Sequence, residues 1–164
     1  MKITVFRAVL CVATLGSSLT ILAQEQPAPA NQHPNIYAQK LVDETLAKHK
    51  EVIIMAFHVT PPNQTENVII ASNIGRIGKK ADDDDTRVIK TGESNLEVNK
   101  TGNHFEDELP LLDQAGNRIG AVGIVFNYKA GDDKQKLAKN AERVRDEMQQ
   151  QIASKEKLFE EVKE

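Results

Sequence analysis

The residues with the greatest chemical capacity in this 164-residue chain are a loop punctuated by glycine, four histidines and a run of four aspartates. Asn73, Gly75, Arg76, Gly78 and Lys79 form an anion-binding pattern, because glycines let backbone N–H groups approach a ligand and the Arg76 guanidinium can grip a carboxylate as a fork. The same stretch also reads as a solvated connection. His58 and His104 fall in segments expected to be strands, where a histidine facing a sheet pocket can ligate haem or hold an acidic ligand while titrating near neutral pH. The commoner condition of a strand histidine is to be hydrogen-bonded or half-exposed, and Glu106 and Glu108 on the face of His104 suggest solvent there. Asp107, Asn127 and Tyr128 join a site only if the strand register turns them inward, which parity alone does not decide.

Other chemistries are poorly served. Asp82 to Asp85 offer oxygen to a hard cation, with Asp84 and Asp85 the natural contributors, but the D-x-D-x-D-G spacing that wraps carboxylates around calcium is missing. The start of a helix is the simpler reading. A nucleophilic triad lacks its G-x-S-x-G elbow, and Cys11, the single cysteine, lies near the N-terminus. His33, His49, His58 and His104 are scattered without the short spacing of a zinc site, and C-x-x-C-H haem attachment is absent. The expectation is therefore a non-enzymatic protein with no assigned metal or cofactor. Its candidate ligand-binding residues are Asn73, Gly75, Arg76, Gly78, Lys79, His58 and Tyr128.

The elements that must position these residues follow from periodicity. From Asn35, residues Ala38, Leu41, Val42, Thr45 and Leu46 repeat at helical spacing, predicting a helix that ends near Lys50. Val52 to Thr60 is β-branched and aromatic, too apolar for an exposed strand, and is stopped by Pro61 and Pro62, so it reads as a central strand. Asn67 to Ser72 pairs back on it. Asp82 to Asp85 before Val88, with Lys90 and then Gly92, complement a helix dipole and its C-cap, predicting a short helix. Ser94 to Lys100 and Asn103 to Asp113 give two strands around Thr101-Gly102. Leu109 and Leu111, then Ile119, Ala121, Gly123 and Val125, alternate on either side of Gln114 to Asn117, which predicts a terminal hairpin ending at Tyr128. Beyond Gly131, residues Leu137, Ala141, Val144, Met148, Ile152, Phe159 and Val162 track one helical face over about seven turns. That length implies a helix outrunning the domain, its far end solvated.

Lys2 and Arg7 make a positive start, Val5 to Leu22 is apolar without an acid, and Ile21-Leu22-Ala23 offers cleavage after Ala23, which reads as a secretory signal peptide whose uninterrupted apolar part, roughly 15 residues, is too short to span a bilayer. Its removal takes the 21 basic residues to 19 against 24 acidic ones, and the formal charge from −3 to −5. Nucleic acid is a poor partner for such a surface. Residues 24–34, rich in proline and polar side chains, read as a flexible leader. The expected plan is a signal peptide at 1–23, the leader at 24–34, one domain at 35–130 and a C-terminal amphipathic helix at 131–164.

Ile70-Ala71-Ser72-Asn73 running into Ile77-Gly78-Lys79, and Leu109 to Asp113 with Gly116, Ile119-Gly120 and Ala121-Val122-Gly123, resemble the strand-and-glycine loop and last hairpin of extracytoplasmic PAS-like sensor domains of the Cache type. The resemblance covers about Asn35 to Tyr128. It implies an α+β fold: a five-stranded antiparallel sheet with an N-terminal helix, a short pocket-side helix and a long C-terminal helix. It further implies periplasmic or secreted binding of a small, carboxylate-bearing metabolite, with room for a membrane-bound signalling partner or a homodimer. Family members usually hang on membrane-spanning helices, and no second apolar span follows the domain. Two other readings stay open: an interaction module using Met148, Ile152, Phe159 and Val162, and a haem- or metal-binding sensor.

Overall fold

A computed structural model describes residues 33–163. The expected signal peptide and nearly all of the leader lie outside the described residues. Three helices and five strands follow in the order α1 (Tyr37–Lys48), β1 (Val52–Val59), β2 (Val68–Ser72), α2 (Asp83–Thr91), β3 (Asn95–Val98), β4 (His104–Leu112), β5 (Arg118–Asn127) and α3 (Lys134–Gln149). The strands form one antiparallel sheet in the order β2-β1-β5-β4-β3, with β1 inside it as its apolar sequence demands. This is the α+β architecture that the resemblance implies, with its strands where residue spacing placed them.

Strand alternation gives the sheet two unlike faces. Met55, Phe57, Val59, Phe105, Leu109, Leu111, Val122, Ile124 and Phe126 point to one side, where Leu41 and Val42 of α1 and Val144 and Met148 of α3 close a continuous apolar core. The other side carries Ile54, Ala56, His58, Glu106, Glu108 and Gly123 beneath α2. Gly120 lets the strands approach closely, since a Cβ there would collide with the His58 carbonyl.

The aspartate run builds the start of α2. Asp82 accepts hydrogen bonds from the Asp84 and Asp85 N–H groups, while the Asp82 N–H donates to Asp85 Oδ2 at 2.7 Å, a reciprocal cap that satisfies otherwise orphaned donors. Gly92 ends the helix at φ 80°, its N–H donating to Val88 O, a left-handed conformation that glycine adopts without a Cβ penalty.

The chain's end departs from expectation. α3 stops at Gln149 instead of running on to Val162, and the chain folds back through a 3₁₀ turn at Glu156–Phe159. Tertiary packing overrides the local helical spacing: Ile152 and Leu158 are fully buried, Gln114 N donates to Ile152 O at 2.8 Å, and Tyr37 N donates to Glu160 O at 2.8 Å. Met148 and Ile152, expected to meet a partner, are core residues, so they offer no docking stripe. The Lys157 ammonium sits 4.9 Å from the Tyr37 ring centroid, tying the tail to α1.

Candidate functional site

The face under α2 encloses a cavity of about 180 Å³. Small residues make the room. Ala56 of β1, Gly123 of β5, Glu108 of β4 and Asn95 of β3 stand in one row across the sheet, and Ile54, Val125, Glu106 and Glu97 form the next. A Cβ on Gly123 would lie 3.0 Å from Glu106 Oε1, so any larger residue there intrudes on the acidic floor.

Six carboxylates line this space, from Asp82, Asp84, Asp85, Glu97, Glu106 and Glu108, against the positive side chains of Arg76 and Lys79 and the His58 imidazole. Burial is the main cause that raises Glu106 above the usual carboxylate range, and the charges of Glu97 and Asp85 add to it. Glu108 is raised further, again by burial first and then by Asp85. Asp85 goes the other way: burial opposes its ionisation, but the His58 imidazole, with Nδ1 3.0 Å from Asp85 Oδ2, and the neighbouring Glu108 carboxyl more than offset that cost. Asp85 and Glu108 are therefore pushed in opposite directions, the first toward its charged form and the second toward its neutral one.

The expected site residues divide. His58, Arg76 and Lys79 line the cavity. Asn73 is taken up by structure instead: its side chain accepts from Met55 N and donates to Ile53 O, stitching the loop to β1. Gly75 and Gly78 turn the loop at φ 73° and 83°. The anion cradle expected of this loop is closed, because Gly78 N donates to Ile69 O and Lys79 N to Arg76 O. Tyr128 lies away from the cavity, 6.4 Å from the Phe105 ring centroid and beside Lys134. Asp107 points to the opposite, apolar face, where burial and the charge of Glu142, opposed by Arg145, push it up to about 7.

Glu106 and Glu108, expected to face solvent, form the floor, and Asp85, read first as a helix start and otherwise as an oxygen donor to a hard cation, joins them. The missed signal was the coincidence of an acidic strand face with small partners at Ala56 and Gly123. Once the pairing of β1, β5 and β4 is known, those residues fall opposite one another.

No family model and no curated protein matches this sequence. Similar folds are found among solved structures. One, described as a GAF sensor protein from Burkholderia vietnamiensis, is 12% identical with a TM-score of 0.52 over 73% of this chain and 76% of that one. Another, the repressor BlcR of Agobacterium tumefaciens, is 8% identical with a TM-score of 0.50 over 73% of this chain and 68% of that one. The chain, a five-stranded antiparallel sheet with helices on both faces, therefore shares its overall fold with these two structures. Among the described residues, no helix is long and apolar enough to cross a membrane.

Proposed function

We propose that this protein is a small-molecule sensor domain of the Cache type that works outside the cytoplasm and binds a positively charged ligand in the cavity under α2 without transforming it. One observation carries the reading: a sheet of sensor-type fold keeps one face open and lines it with carboxylates, where an apolar cover would be more stable. The cavity is smaller than the roughly 300–1,000 Å³ of drug-sized sites, which suits a ligand of a few heavy atoms. A carboxylate on that ligand, as the sequence resemblance implies, is compatible only at Arg76 and Lys79, because the floor repels it. Amines and amino-acid-like zwitterions satisfy both conditions.

The non-enzymatic part of the reading is supported by the cavity walls, which present acids, one imidazole, Arg76, Lys79 and Asn95 but, among the described residues, no hydroxyl or thiol nucleophile. Export is supported by the first 23 residues, and the mass of the secreted chain tests it: cleavage after Ala23 is the expected result. Binding is tested by thermal unfolding of the purified protein against a panel of small amines, amino acids and dicarboxylates. A binder at a hundred times its dissociation constant adds roughly 2.7 kcal/mol. Amines or zwitterions are expected to stabilise the protein. Stabilisation by dicarboxylates alone, or by nothing in the panel, contradicts the reading.

A further inference from the structure

Among the residues lining the cavity, three buried side chains from three separate elements converge: His58 from β1, Asp85 from the first turn of α2 and Glu108 from β4. One potential ligand atom from each lies within 4.8 Å of the other two. All three residues are more than nine-tenths buried, at 8%, 5% and 6% exposure. His58 Nδ1 faces Asp85 Oδ2 at 3.0 Å, yet among the described residues neither His58 Nδ1 nor Glu108 Oε1 has an aligned hydrogen-bond partner. Buried polar atoms left this way are costly and call for an explanation. Arg76 and Lys79 line the same cavity without forming an ion pair among the described residues, so the floor's acids have no fixed cation beside the imidazole.

We propose that His58, Asp85 and Glu108 bind a divalent transition-metal ion of the zinc type. This rests on reading the cavity as a ligand site and names the ligand at its floor. The donor set is one imidazole nitrogen and two carboxylate oxygens, which borderline ions accept and which a strictly oxygen-seeking ion such as magnesium does not favour. Asp85 is oriented for the task by the Asp82 N–H on its Oδ2 at 2.7 Å, the outer hydrogen bond that metal-binding carboxylates ordinarily receive. Three protein ligands leave a coordination position open toward the cavity, as in sites where water or a small molecule completes the shell. The ion also answers the electrostatic problem of the floor, since two positive charges beside Asp85 and Glu108 replace the proton that would otherwise be needed there.

The test uses the full chain, purified and stripped with a chelator. Titration with Zn²⁺ by calorimetry is expected to show one ion per chain and a raised unfolding midpoint, and Co²⁺ is expected to give visible ligand-field absorption. Glu108→Gln keeps the size of the side chain, and His58→Gln removes the imidazole; each is expected to weaken Zn²⁺ binding at least about tenfold while the unfolding transition stays cooperative. His49→Gln is the control, because His49 lies in a separate ion-pair group with Glu147, and it should bind as the wild type does. Absence of Zn²⁺ binding to the wild type overturns the proposal, as does unchanged affinity in both cavity variants or loss of binding in His49→Gln. The metal-stripped protein is screened with amines in parallel. Amine binding without a zinc site would sink the metal and leave the sensor reading standing.

Discussion

The two faces of one sheet have been put to opposite uses. Toward α1 and α3 the strands β1, β2, β4 and β5 present apolar side chains, and the chain's own tail returns to plug the remaining gap with Leu158. Toward α2 the same strands present Ala56, Gly123, His58, Glu106 and Glu108, too small to fill the space and too polar to want it dry. The difference teaches which face stores stability and which one spends it. A closed apolar face stabilises in proportion to the area it removes from water, whereas buried acids cost free energy unless something neutralises them.

Shortening the chain probes the closed face most severely. Deleting residues 155–164 removes Leu158 from the core and the Tyr37 to Glu160 hydrogen bond, and urea unfolding should show a loss of about 2–5 kcal/mol. A loss below ~1 kcal/mol would mean that the tail merely lies on the surface. A charge on that face should be a liability with no use. Asp107→Asn is expected to raise stability by about 1 kcal/mol at pH 8 and to leave ligand binding unchanged; reduced binding would show that the two faces are not independent.

The smallest effect belongs to the seam between α1 and α3. Glu147 meets Lys48, His49 and Arg143, and its carboxyl is held down at about 2, chiefly by the hydrogen bond from Lys48. A depressed carboxyl contributes stability above its ordinary value of 4.5 and loses it as pH falls toward 2. Glu147→Gln should therefore flatten the acid side of the stability profile between those values, by less than ~1 kcal/mol because the group is one-third exposed. An unchanged acid limb would show that these contacts do not persist in solution.

Much of this architecture was legible in residue spacing. The period-two alternation of β4 and β5, the proline stop after β1 and the acid-to-glycine frame of α2 are local signals, and each element formed where they placed it. What escaped is non-local. His58, Asp85 and Glu108 are separated along the chain and share no motif, and only the pairing of β1 and β4 with β5 between them, roofed by α2, brings them together. Glu106 and Glu108 looked solvated because alternating charge on a strand usually marks a wet face, and nothing in β4 itself announces a helix above it. The tail misled for a similar reason. Its apolar spacing suits a helix, but burial of Ile152 and Leu158 against α1 and the sheet outweighs local propensity.

The direct comparison of the faces comes from filling the open one. Gly123→Val places a branched side chain between Ala56 and Glu108, against Glu106, without touching the apolar core. Thermal unfolding of the wild type and this variant, each with the same panel of amines and divalent cations, should show stabilisation in the wild type that the variant loses while its unfolding remains cooperative. Equal stabilisation of both proteins would contradict a ligand site under α2.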